Sequence, residues 1–336
     1  VSHTEGLWRN ISRTRLKADI EQGIARVEQT LHHSTKSEVP LLSEAAEHLI
    51  AAGGKRFRPI LTLLAAQFGD PHAPGVAKAA AAVELTHVAT LHHDDVMDRA
   101  VMRRSVPSVN ARWSNTIAVR SGNFLLTRAA QIVAELGEEA IRTQQAALSR
   151  LVRGQALEIQ GPGFDADPVQ HYLEVIAEKT GSLIALAGRL GALLSGADHR
   201  TIRVFSEFGE RIGVAFQLAD DLLDIEGSST ASGKAAGTDL RQGVATLPVL
   251  LLRSRRPTPG DPEERRLRYL LESDLSDSAE HHEALQLLRR HPVMAEARAE
   301  TLSRAEGARE VLASLQRGRV RNALEDLCRM AADRVA

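Results

Sequence analysis

Two strongly apolar helical runs in this chain end in paired acids, and that combination restricts the fold more than any other feature. The first run, "AAAAVELTHVAT", leads straight into "LHHDDVMDRAVMRR", Leu91 to Arg104. The second is "FQLADDLLD", where Leu218, Ala219, Leu222, Leu223 and Ile225 surround Asp220, Asp221 and Asp224. Helices this apolar belong in a core, yet each must carry several carboxylates. Residues four apart share a helix face, so Asp94 and Asp98 point together and repel by a few tenths of a kcal/mol. The negative end of the helix dipole disfavours them further, so something cationic should offset both. A solvated acidic helix end would explain one such cluster but not two. If the two helices face one another, their carboxylates can hold two or three hard divalent cations, and Mg²⁺ is the natural choice.

The rest of the chain is consistent with an all-α protein. Apolar residues recur at three- and four-residue intervals over Leu16–Leu31, Leu41–Ala52, Ile60–Phe68, Gly75–Met97, Ile117–Leu136, Glu139–Ile159, Val169–Leu194, Thr201–Ile225, Leu247–Arg253 and Ala297–Met330. Strand-like alternation is scarce, with no convincing hairpin or βαβ unit and no fixed-period repeat. Loops fall at "GDPHAPG", "GPGFDADP", "EGSSTASGKAAGTDLRQG" and "SRRPTPGDPEE". The expectation is one large helical domain over residues 1–336.

Composition sets limits on partners. With 43% apolar residues, 25% charged residues and a net charge of −1, nothing global steers the chain toward nucleic acid or an anionic membrane. Cys328 is the only cysteine, which suits a reducing cytoplasm and excludes an internal disulfide. The first residues lack an apolar signal core, and the best membrane-span candidate, Gly181 to Ala197, is short and interrupted by Arg189. A buried core helix is the better reading, with no integral membrane segment and a cytoplasmic location.

Any anion must therefore meet local charge. In "AAGGKRFRPI", Gly53-Gly54 ends one helix and Pro59 lies near the start of the next, placing Lys55, Arg56 and Arg58 at a helix N-terminus that favours anions. Arg103 and Arg104 follow the first acidic cluster, Lys179 and Thr180 sit mid-helix, and Lys234 lies in the loop after the second cluster. His87, seven residues before Asp94, shares nearly the same helical face. The inventory suits two diphosphates, one gripped through metal and one gripped directly.

These motifs, "GGKRFRP", "DDVMDRAVMRR", "GQALE", "KTGS", "FQLADDLLD" and "GKAAGTDLRQG", resemble in order the signatures of the trans-isoprenyl (polyprenyl) diphosphate synthases. The resemblance runs from about residue 40 to 250. It implies an all-helical fold, a homodimer, and a deep cavity between the aspartate-bearing helices. It also implies Mg²⁺, about three ions per site, on Asp94, Asp98 and Asp220 with Asp95, Asp221 and Asp224 in support. Arg103, Lys179, Thr180, Gln217 and Lys234 would then hold an allylic diphosphate, and Lys55, Arg58, His87 and Arg104 isopentenyl diphosphate. Gln155 and Glu158 match the family's "GQxLD", with glutamate replacing aspartate. Departures from the pattern are Val244 where a lysine is common, Ser105 for a glycine, and Asn123 for an aspartate. The final residues, "CRMAADRVA", show no clear basic closing motif.

The resemblance also bears on product length. A bulky aromatic four or five residues before the first aspartate would stop chain growth early, but these positions are Thr90 and Ala89, with Leu85, Thr86, Ala81 and Ala82 further down. Phe124, or Leu125, Leu126 or Ala129 on the next helix, would form a deeper floor. A long product, heptaprenyl to decaprenyl, is the expectation. The alternatives are a shorter farnesyl or geranylgeranyl product, or a non-catalytic subunit of a heteromeric synthase. A histidine-aspartate phosphohydrolase would leave the second acidic cluster and "GGKRFRP" unexplained.

Overall fold

The computed structural model describes residues 15–227 and 236–334, and these are helical almost throughout. In chain order the helices are α1 (Arg15–Ser34), α2 (Pro40–Ala51), α3 (Phe57–Ala66), α4 (Pro74–Met97), the short α5 (Val109–Arg112), α6 (Asn115–Ala134), α7 (Glu138–Gln160) and α8 (Pro168–Ile176). They continue with α9 (Ser182–Leu194), α10 (His199–Glu226), the short α11 (Thr238–Arg241), α12 (Leu247–Arg253), α13 (Pro262–Glu272), α14 (Ser278–Arg290), α15 (Val293–Val311) and α16 (Arg319–Asp333). The all-α expectation holds.

Contacts group the described residues into two compact units. One draws on residues up to Ser149, Ser182–Gly209 and Val311–Asp326. The other draws on Arg150–Gly181, Glu210–Glu310 and the residues from Leu327 onward.

In the first unit, α4 is the central helix. Val76, Ala79 to Val83, Leu85, Val88 and Ala89 are all buried, so its apolar surface extends around most of its circumference. It packs against α1, α3, α6 and α9. Small residues allow close approach between backbones here. A Cβ on Gly191 of α9 would lie 2.1 Å from the Thr62 carbonyl oxygen of α3, which only glycine avoids. In the second unit, Leu218, Ala219, Leu222 and Ile225 of α10 join Leu252, Leu267, Leu285 and Leu288 in one apolar core. That packing fixes the rotation of α10 and with it the directions of Asp220, Asp221 and Asp224.

Three readings of the sequence need correction. Val169–Leu194 is not one helix: α8 and α9 are separated by a turn of π-helix at Ala177–Gly181. A π-turn adds a residue to the helical register, which apolar spacing does not reveal, and it places Lys179 and Thr180. Ala297–Met330 is likewise two helices, α15 and α16, with Gly318 in the break. There is also a small antiparallel hairpin, pairing Met102 with Pro107 and Arg103 with Val106. No described helix is long and apolar enough to cross a membrane, and the Gly181–Ala197 stretch is mostly the buried α9.

The hairpin shows what one departure from the family pattern costs. Arg104 and Ser105 form its turn with φ of 53° and 63°, and a two-residue turn with both centres left-handed favours glycine. A side chain there costs about 1 kcal/mol. Ser105→Gly should therefore raise stability, by up to about 1 kcal/mol, as a higher urea midpoint with no loss of the hairpin.

Candidate active site

The basic cluster is built around a buried acid. Glu84 lies in the middle of α4 with 2% of its surface exposed. Arg56, which the sequence places among anion-facing residues, turns inward instead. It adopts a left-handed conformation before α3, and its guanidinium reaches Glu28 at 2.5 Å and Glu84 at 3.2 Å, with the Ile50 carbonyl at 3.1 Å. Arg104 also lies over Glu84, at 3.6 Å, and donates to the carbonyls of Leu49 (2.6 Å) and Gly53. A carboxylate with this little access to water needs cationic partners, and the arginines in turn need it.

The remaining basic residues take their character from this arrangement. Burial brings Arg58 down to about 10, with Glu84 opposing and Arg104 adding to the shift, so it remains charged at neutral pH. Burial, reinforced by Arg58, Arg104, Arg103 and Arg56, holds His87 well below its ordinary value. His87 is thus a neutral imidazole, able to donate one N–H to an anion. Lys55 is exposed next to these groups in sequence.

The first acidic cluster divides its work. Asp95 is fully buried and receives Arg103 through Nε at 2.7 Å and Nη2 at 2.6 Å. Its role is to hold Arg103 and the end of α4, where Asn110 also donates to the Asp95 carbonyl at 3.2 Å. Asp94 is half-buried and Asp98 exposed, so both can reach an incoming cation. The two histidines of "LHHDD" serve packing: His92 is buried against the Ser121 hydroxyl at 2.8 Å, and the His93 ring fills the space that a side chain at Gly122 would occupy.

The second cluster divides in the same way. Asp221, 7% exposed, accepts from Gln217 at 2.8 Å and from the Tyr172 hydroxyl, while Thr180 donates to Gln217 at 3.1 Å. Asp224 accepts the backbone N–H groups of Thr238 (3.3 Å) and Asp239 (3.1 Å), and its own carbonyl accepts from Gly237 at 2.7 Å. It anchors the chain entering α11. Asp220 is the most exposed of the three and pairs with Arg334 at 2.6 Å. Lys179 is paired with Glu158, and Gly154 lies under both Glu178 and Lys179, where no other residue fits. Lys234 lies outside the described residues.

Among the described residues no three His, Cys, Asp or Glu side chains converge into a ready-made metal cage. The donors nevertheless suit Mg²⁺, which takes one or two carboxylates per ion and fills its other positions with water and phosphate oxygens. Asp94, Asp98 and Asp220 are accessible oxygen donors of that kind. Sequence reasoning missed Tyr172, Glu28 and Arg334. Glu84, the one charge inside "AAAAVELTHVAT", was visible, but its partners were not.

A family profile described as Polyprenyl synthetase matches residues 39–288. The chain is 45% identical over 299 residues to the nonaprenyl diphosphate synthase of Mycobacterium tuberculosis (strain ATCC 25618 / H37Rv), covering 89% of this chain and 88% of that one. It is 41% identical over 232 residues to heptaprenyl diphosphate synthase component 2 of Geobacillus stearothermophilus, covering 69% and 72%. Its structure is similar to that of geranylgeranyl pyrophosphate synthase from Corynebacterium glutamicum, complexed with calcium and isoprenyl diphosphate, with a TM-score of 0.85, 39% identity, and coverage of 96% and 98%. The chain belongs to the polyprenyl synthetase family, as an all-α prenyltransferase.

Burial also sets a pH dependence. It pushes the Asp221 carboxyl up to about 7, against the hydrogen bonds from Tyr172 and Gln217 and with help from Asp239 and Asp220. The unfolded chain releases this proton near about 4. Between these values the folded state binds more protons, so this contribution to stability is lost as pH rises from about 4 to about 7. In EDTA, Asp221→Asn should flatten that slope, measured as urea midpoints at both ends of the window.

Proposed function

We propose that this chain condenses isopentenyl diphosphate with an allylic diphosphate, repeatedly, to give a long all-trans polyprenyl diphosphate of heptaprenyl to decaprenyl length. One observation carries the reading. His87, beside the buried arginines, and the acidic pair lie on the same helix, with His87 and Asp94 seven residues apart on α4. At 1.5 Å per residue that is roughly 10 Å along the helix, room for two diphosphates side by side. Arg58, Arg104, neutral His87 and Lys55 would hold isopentenyl diphosphate.

Asp94, Asp98 and Asp220 would hold Mg²⁺, which when bound offsets the charge of the allylic diphosphate and makes it a leaving group. Asp95, Asp221 and Asp224 support these indirectly, through Arg103, Gln217 and the α11 backbone. Arg103, Lys179, Thr180, Gln217 and Lys234 are the proposed contacts to the allylic diphosphate. In the reaction the allylic C–O bond breaks with both electrons leaving on diphosphate. The isopentenyl double bond then forms the new C–C bond, and a proton is lost to the departed diphosphate. This sequence requires no protein nucleophile. The protein's part is to orient both substrates and stabilise developing charge.

Product length rests on the small side chains upstream of Asp94. Ala81, Ala82, Leu85 and Ala89 are buried, and the Thr90 hydroxyl turns back to the His87 carbonyl at 2.7 Å. On α6, which packs against α4, Leu125 and Ala129 are buried, whereas Leu126 is partly exposed. Phe124 is partly exposed beneath the Arg128 guanidinium. Each added isoprene unit buries apolar surface at about 0.8 kcal/mol per CH₂. The similarity to a heptaprenyl synthase component 2 supports a second reading, in which the chain works with a different subunit. A cytoplasmic homodimer, acting as one domain, is the first reading.

The test is a product assay with purified protein, Mg²⁺, labelled isopentenyl diphosphate and dimethylallyl, geranyl, farnesyl or geranylgeranyl diphosphate in turn. Metal-dependent long prenols are expected, lost by about 10²-fold or more in Asp94→Asn. Farnesol or geranylgeraniol alone would overturn the length assignment, and no incorporation from any primer would favour the two-component reading. Ala89→Phe should shorten the longest prenol while leaving the first condensation intact, measured by chromatography of the dephosphorylated products.

A further inference from the structure

The three carboxylates of the second acidic cluster are met by different chemistry. Asp221 receives a tyrosine hydroxyl and an amide, and Asp224 receives backbone N–H groups. Asp220 instead receives a full positive charge from a part of the chain 114 residues away: Arg334 Nη1 lies 2.6 Å from its Oδ1. The Arg334 guanidinium also lies 5.5 Å from the centroid of the Phe216 ring, one helical turn before Asp220 on the same face of α10. The arginine side chain is 18% exposed, whereas that of Asp220 is 57% exposed. The arginine is therefore seated on the aromatic ring, and the carboxylate stays open to solvent on its other side. The stretch that shows no clear basic closing motif in sequence thus places one basic side chain, Arg334, against the acidic cluster.

We propose that Arg334 is the resident counter-cation of Asp220 and is exchanged for the metal ion when the site fills. The proposal rests on the reading of Asp220 as a metal ligand. A Mg²⁺ ion needs its oxygen ligands at about 2.0–2.1 Å and in octahedral array. A guanidinium on the same oxygen is a like charge within contact distance and covers one approach to it. A metal ion that takes Oδ1 as its ligand displaces Arg334 from it. Before that, the arginine offsets the repulsion between Asp220 and Asp224, four residues apart on one helix face. Arg334 directly follows the last residue of α16, so its release also loosens the final turn of that helix from α10. Arg334 is thus a positioning residue that couples the end of α16 to occupancy of the metal site.

The experiment is a Mn²⁺ titration followed by the electron paramagnetic resonance of the free ion, with no substrate present. Arg334→Gln should bind Mn²⁺ about two- to fivefold more tightly, the range that an ion pair of this exposure spans. Arg334→Lys, which retains the charge, should stay closer to the unmodified chain. In hydrogen exchange of the unmodified chain, saturating Mn²⁺ should speed exchange over residues 329–334. That measurement decides the matter even if Arg334→Gln folds poorly. Unchanged or weaker Mn²⁺ affinity in a folded Arg334→Gln, or no change in exchange at 329–334, overturns the proposal. Asp220→Asn separates the two claims. If it weakens Mn²⁺ binding while Arg334→Gln has no effect, only the role of Arg334 fails. If it leaves Mn²⁺ binding unchanged, the metal-ligand reading of Asp220 fails, and the proposal with it.

Discussion

The ion cluster centred on Glu84 is the interaction on which the first unit depends. A carboxylate that is 2% exposed in the middle of an apolar helix is tolerable only because Arg56 and Arg104 meet it, with Glu28 sharing Arg56. Breaking a buried pair by removing one partner typically costs about 3–5 kcal/mol, because the remaining charge is left uncompensated. That mutual dependence ties α1, α3, α4 and the Arg104 hairpin to one point. It also sets the potential around Arg58 and His87, keeping one charged and the other neutral. The charge states of these two residues thus follow from how the core resolves its own buried charge.

The same economy appears in the acidic clusters. In each, some carboxylates hold protein groups in place, while Asp98 and Asp220 are the more exposed. Asp95 orients Arg103, Asp221 orients Gln217 and Tyr172, and Asp224 fixes the entry to α11. Had every aspartate faced the ligand, their repulsion would have had to be met by metal alone. Distributing the charges over arginine, amide, hydroxyl and backbone donors lets the chain fold before any metal arrives.

Much of the fold was legible because helical periodicity is a local property. The extents of α4 and α10 and the pairing of Asp94 with Asp98 follow from spacing alone. The π-turn at Lys179 and Thr180 was hidden, since one extra residue leaves the apolar pattern nearly unbroken. The hairpin at Arg104 and Ser105 was hidden for another reason. Its strands are two residues long, too short to alternate, and neither turn residue is a glycine.

The sequence by itself determined the class of the protein, because the acidic and basic motifs and their order along the chain are read directly from residue types. It also determined that the core would be helical, from the spacing of its apolar residues. Only the tertiary structure decided which member of each motif faces inward. Arg56 and Arg58 are two residues apart in one motif, yet one is bonded to Glu28 and Glu84 and the other is held by burial at a lowered pKa of about 10. The union of Arg334 with Asp220 was likewise beyond the sequence. Both depend on charges brought together from distant parts of the chain, and the energy of a charge is fixed by its burial and its partners, which spacing along the chain does not encode.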